Sequence, residues 1–110
     1  MGQDEQGGGI ANYGFLNLED STVSGNKAGI GVGIFNGPNG VLYASNSTIS
    51  DNISTWRGDG IYQGGADAWI TNTTITNNRA KTDEGGGISN YWNLPLHMAN
   101  TIVAGSFRAG

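Results

Sequence analysis

The heptapeptide Asp20-Ser-Thr-Val-Ser-Gly-Asn26 returns as Asn46-Ser-Thr-Ile-Ser-Asp-Asn52 and as Asn72-Thr-Thr-Ile-Thr-Asn-Asn78. A degraded fourth copy, Asn100-Thr-Ile-Val-Ala-Gly-Ser106, stands near the end of the sequence. The copies start at 20, 46, 72 and 100, which gives steps of 26, 26 and 28 residues. A second landmark keeps order with the first: Gly-Gly-Ile at 8–10, Val-Gly-Ile at 32–34, Asp-Gly-Ile at 59–61 and Gly-Gly-Ile at 86–88. A unit this short cannot bury its own apolar face, so repetition at this period implies stacking of each unit on the next. The sequence therefore predicts one all-β domain over 1–110: a parallel β-helix, or solenoid, of about four coils, at approximately 7–29, 30–55, 56–81 and 82–110.

Within each coil, short runs alternate apolar and polar residues, the period of a strand with one buried face. The third coil shows them as Gly60-Ile-Tyr-Gln, Ala68-Trp-Ile and Thr73-Thr-Ile-Thr, which predicts three strands per coil. Stacking then places equivalent residues in columns. The inward columns are Ile10, Ile34, Ile61 and Ile88; Leu16, Leu42, Ala68 and Leu96; Leu18, Ala44, Ile70 and Met98; and Val23, Ile49, Ile75 and Val103. Polar columns mark two bends: Asn12, Asn36, Gln63 and Asn90 at one, and Asn26, Asn52, Asn78 and Ser106 at the other. Side-chain amides repeated at the inter-strand spacing of about 4.8 Å can hydrogen-bond along the stack and satisfy the backbone of buried turns. The segments before each Gly-Ile landmark, 27–33, 53–60 and 79–87, vary in length and chemistry and read as the tolerant turn.

Composition narrows the function. Twenty glycines and 13% charged residues describe a surface of short polar side chains. A net charge of −4, with no cluster of Lys or Arg, argues against nucleic acid. The absence of cysteine removes disulfides and thiolate metal sites. No apolar run approaches the roughly 20 residues of a membrane span, so no membrane insertion is expected. The start, Met1-Gly-Gln-Asp-Glu5, lacks the apolar core of an export signal.

The paired motifs, Gly8-Gly9-Ile10 with Val23-Ser-Gly-Asn26 and Asp59-Gly60-Ile61 with Ile75-Thr-Asn-Asn78, resemble the repeats of chlamydial polymorphic outer membrane proteins. More broadly they resemble the right-handed parallel β-helices of bacterial surface adhesin passenger domains, within the pectate-lyase-like superfamily. The resemblance spans roughly residues 7 to 106 and implies an extracellular or cell-surface location and an adhesin-like architecture. It does not carry catalysis across: the Asn-Thr-Asp, Asp-Asp and Gly-His-Gly motifs of polygalacturonases are absent. Most acidic residues stand at turns, where aspartate is favoured for local hydrogen bonding. We expect no catalytic residues, no cofactor and no metal; the sole calcium candidate is the acidic group Asp59, Asp83 and Glu84, two turns that stacking would bring together.

The outward columns and the ends remain. Tyr43, Trp69 and His97 should project outward in a line from the second strand, and Phe35 and Tyr62 from the first. Exposed aromatics on a rigid sheet suit sugar rings or another protein chain, so a carbohydrate-binding or polysaccharide-degrading module is one expectation. Thr22-x-Ser24, Thr48-x-Ser50 and Thr74-x-Thr76 form outward rows like an ice-binding face, which Ile102-x-Ala104 breaks. A stack with no recognisable cap offers open strand edges at top and bottom, which are templates for pairing. The leading expectation is thus a non-enzymatic structural or adhesion module that associates with itself head to tail, as a fibre or a segment of a surface protein. In it Ile88, Leu96, Met98 and Val103 of one copy would pack on Ile10, Leu16, Leu18 and Val23 of the next.

Overall fold

A computed structural model describes residues 9–30, 33–57, 60–80, 87–90, 94–104 and 107–108. The first repeat lays down β1 (Ile10–Asn12), β2 (Phe15–Glu19), β3 (Thr22–Ser24) and β4 (Lys27–Ile30). The second gives β5 (Ile34–Asn36), β6 (Val41–Ser45), β7 (Thr48–Ser50) and β8 (Ile53–Arg57). The third gives β9 (Ile61–Gln63), β10 (Asp67–Thr71), β11 (Thr74–Thr76) and β12 (Arg79–Ala80). The fourth gives β13 (Ile88–Asn90), β14 (His97–Ala99), β15 (Ile102–Ala104) and β16 (Phe107–Arg108).

Each strand pairs with its counterpart one repeat away, and every pairing is parallel. The result is four sheets of four strands: β1-β5-β9-β13, β2-β6-β10-β14, β3-β7-β11-β15 and β4-β8-β12-β16. Three of these come from the expected strands. The fourth comes from the segments that read as a variable turn, which instead pair along the stack. Their pattern hid them: β4 to β8 contains a register shift between Ala28 and Ile30, and the strand lengths differ from repeat to repeat. A sheet that absorbs an extra residue in a bulge leaves no fixed spacing in the sequence.

Register sets the core. Ile10 lies beside Ile34, Ile34 beside Ile61 and Ile61 beside Ile88. Val23, Ile49, Ile75 and Val103 follow the same order, as do Leu18, Ala44, Ile70 and Met98. One cluster results, drawn from three sheets, in which Ile34, Leu42, Ile49, Ile61, Ile70 and Ile75 are fully buried. Burying one such side chain is worth about 1.5–3 kcal/mol, and the two middle repeats hold all six.

The bends explain the motifs. The first residue of the heptapeptide sits in the left-handed region in every copy, at φ 51° for Asp20, 50° for Asn46, 47° for Asn72 and 49° for Asn100. Its sixth residue does so again, at Gly25, Asp51 and Asn77. Among residues with a Cβ, Asn and Asp tolerate this conformation best, because their short polar side chains bond locally. The glycine before each Gly-Ile strand answers a different need. A Cβ on Gly33 would lie 2.4 Å from the carbonyl oxygen of Gly60, and one on Gly60 would lie 2.5 Å from that of Gly87. Adjacent repeats approach too closely there for any side chain.

Candidate functional site

The second sheet carries the most distinctive surface. Its register aligns Asn17, Tyr43, Trp69 and His97 in one outward column. Tyr43 and Trp69 are 44% and 41% exposed. Phe15, two residues before Asn17 on the same face, adds its ring 5.3 Å from that of Tyr43. Tyr43 and Trp69 lie 6.4 Å apart and inclined by 44°, whereas Trp69 and His97 stack at 3.9 Å and 19°. Asp67 fixes this end of the ribbon. One carboxylate oxygen accepts from Trp69 Nε1 at 2.9 Å, and the other lies 3.2 Å from His97 Nε2 and accepts the Ala68 N–H at 2.9 Å.

Beside the rings lies a shallow depression of about 300 Å³, lined by Asn17, Glu19, Tyr43, Ala44, Ser45, Trp69 and Thr71. Glu19, Ser45 and Thr71 are aligned by strand register, two residues along from the aromatic column. Asn17 Nδ2 donates to the Glu19 carboxylate at 3.3 Å. No His, Cys, Asp or Glu group suited to a metal occurs among the described residues. The calcium candidates Asp59, Asp83 and Glu84 lie outside the described residues.

The first sheet departs from expectation. Phe35 and Tyr62 stack on each other at 5.2 Å and 22°, but they are 5% and 9% exposed rather than open to solvent. The glycine bends cause this. The rings fold back over Gly37 and Gly64, where no Cβ obstructs them, and Tyr13 covers Phe35 at 5.9 Å. Among the described residues, the outward strand aromatics lie on the second sheet, and Tyr13, at the bend between β1 and β2, is exposed.

The amide columns form one-way chains. Asn12 Nδ2 donates to Asn36 Oδ1 at 2.9 Å, and Asn36 Nδ2 to Gln63 Oε1 at 2.7 Å. Gln63 then donates to the Pro95 carbonyl at 2.7 Å, while Asn90 leaves the column and exchanges bonds with Leu94. At the other bend, Asn26 Nδ2 donates to Asn52 Oδ1 at 3.1 Å and Asn52 Nδ2 to Asn78 Oδ1 at 2.8 Å. Ser106 lies outside the described residues. A third column of hydroxyls recurs at the remaining bend. Ser21, Ser47, Thr73 and Thr101 each donate to the carbonyl two residues earlier.

At the ends, the apolar columns emerge. Ile10, Leu16 and Leu18 are half-buried at one end, as are Ile88 and Leu96 at the other, where Met98 and Val103 are exposed. Val23 is buried. The strand edges β1 to β4 and β13 to β16 have a paired neighbour on one side. The Thr and Ser rows on the third sheet face outward, and the register sets Ile102 and Ala104 against Thr74 and Thr76, ending the pattern there. No described helix is long and apolar enough to cross a membrane.

The sequence pointed to Tyr43, Trp69 and His97 but missed Phe15, Asn17, Glu19, Asp67, Ser45 and Thr71. The signal was available: residues two apart on a strand share a face, so each neighbour of the aromatic column at ±2 belongs to the same surface. No family model, curated protein or solved structure matches the chain.

Proposed function

We propose that this chain is a non-enzymatic structural module which associates with itself head to tail through its open ends, outside the cell or at its surface. On this reading the four parallel sheets are the wall of a right-handed parallel β-helix, the hand that parallel crossovers take in about 98% of cases. The observation that carries the proposal is the pair of apolar ends: among the described residues the first and last strand of each sheet are paired on one side, and the core columns reach both ends half-buried or exposed, except at buried Val23. Unpaired edges recruit further strands. A second copy supplies the matching columns in sequence order, with Ile88, Leu96, Met98 and Val103 set against Ile10, Leu16, Leu18 and Val23.

Polarity favours a head-to-tail contact over a symmetric one. Within the stack the bonds from one side-chain amide to the next all run toward the C-terminal repeat, although Asn52 and Asn78 also donate back to the Val23 and Ile49 carbonyls, and Asn26 Oδ1 accepts no hydrogen bond among the described residues. The same oxygen in Asn52 and in Asn78 receives both the amide and the backbone N–H of the preceding repeat. Two N-terminal ends facing each other would oppose acceptor to acceptor and run their strands antiparallel. A heterologous contact that does not close extends as a filament. Sedimentation and electron microscopy across a concentration series test this. The wild-type mass should rise with concentration, and Met98→Lys should hold the chain monomeric with an unchanged far-ultraviolet spectrum. A wild-type chain that remains monomeric at millimolar concentration contradicts the proposal.

A further inference from the structure

We infer that the depression on the second sheet binds a neutral oligosaccharide, independently of any contact between the ends. Three features combine. The first is a preorganised aromatic wall. Trp69 is held by Asp67 at its indole nitrogen and by His97 across one face, so ordering it on binding costs little. Its other face opens toward Tyr43 as a wedge, the rings being 6.4 Å apart and 44° inclined. The C–H groups on one side of a pyranose ring can pack against such rings, as apolar ligand surface does in other clefts.

The second feature is an uncommitted set of hydrogen-bonding groups on and beside that wall. The Ser45, Thr71 and Tyr43 hydroxyls make no hydrogen bond among the described residues, although Ser45 and Thr71 are half-buried. The Glu19 carboxylate has the Asn17 amide as its hydrogen-bond partner and retains acceptor capacity. Hydroxyls that both donate and accept, beside a carboxylate that only accepts, match the hydroxyl groups of a sugar.

The third feature sets the charge of the ligand. Glu19 lines the depression, Asp67 bonds the Trp69 indole, and no Lys or Arg lines it among the described residues. The chain as a whole carries −4. A uronate or a sulfated sugar would bring like charge against Glu19, so a neutral chain is preferred.

Titration of the full chain with cellohexaose, mannohexaose, maltohexaose and hexagalacturonate, followed in amide and indole NMR spectra, tests this. At least one neutral hexasaccharide should shift the signals of Asn17, Tyr43, Ser45, Trp69 and Thr71 saturably. Hexagalacturonate should bind at least tenfold more weakly. Trp69→Ala should weaken the neutral ligand at least tenfold, and Glu19→Gln, an exposed change that spares the fold, should narrow the gap between neutral and acidic ligands. The inference is overturned by no response to any of the three neutral probes, by shifts confined to other surfaces, or by hexagalacturonate binding as tightly as they do. Met98→Lys lies outside the depression and should leave the titration unchanged, so failure of self-association and failure of sugar binding are read separately.

Discussion

Replacing Asn52 by alanine should cost far more than the same change at Asn26, although the two occupy equivalent positions in the sequence repeat. Asn52 is fully buried and serves both directions of the stack. Its Oδ1 accepts from the backbone N–H and the side-chain amide of Asn26, both at 3.1 Å. Its Nδ2 donates to Asn78 Oδ1 at 2.8 Å and to the Val23 carbonyl at 3.3 Å. Truncation leaves the Asn26 N–H and one side of the Val23 carbonyl without those partners, at about 1–3 kcal/mol for each buried group. Asn78 Oδ1 keeps its bond from the Asn52 N–H. Since the Asn26 turn is half-open to water, a total of about 2–4 kcal/mol is expected. Asn26 loses only its donations to Asn52 and to the Ser24 carbonyl, at a half-buried site where water replaces them. That variant should cost about 1 kcal/mol or less. Urea denaturation at matched protein concentration measures the difference, which is large against a typical domain stability of about 5–15 kcal/mol. Equal costs for the two variants would refute the reasoning that the amides work as a ladder.

The core should show the same gradient from middle to end. Ile61→Ala, at a fully buried position, is expected to cost about 2–5 kcal/mol, and Val103→Ala, at an exposed end position, less than half of that, as read from thermal or urea midpoints. At the left-handed bend, Asn46→Gly should be nearly neutral, whereas Asn46→Val should cost about 1–2 kcal/mol, because a branched side chain at φ 50° crowds the following carbonyl. Equal losses for the two bend variants would point to the side chain rather than the backbone as the reason for asparagine there.

Much of this architecture was legible because each motif residue has one physical task that recurs at a fixed interval. Isoleucine at 10, 34 and 61 follows a glycine whose Cβ the next repeat forbids. Asn46 and Asn72 take a left-handed bend, and Asn52 and Asn78 bond along the stack. The fourth sheet was hidden because Lys27–Ile30 and Ile53–Arg57 pair through a bulge, so neither their length nor their alternation repeats. The burial of Phe35 and Tyr62 was hidden for a different reason. Alternation puts them outside, but the glycine bends and Tyr13 then close over them, and strand periodicity carries no information about what a neighbouring bend covers. The depression beside Trp69 was missed because its polar members, Glu19, Ser45 and Thr71, share no residue type from repeat to repeat. A column is visible in sequence when its chemistry is conserved along the stack, and these positions vary.

Through-space proton contacts in solution report the winding itself. Backbone contacts should join Val23 to Ile49 and Ile49 to Ile75, and Leu16 to Leu42 and Leu42 to Ala68, each pair 26 residues apart and in parallel register. Contacts that instead join β2 to β3 or β6 to β7 in antiparallel hairpins would contradict the stacked repeat, and with it the ladders, the open ends and the aromatic face.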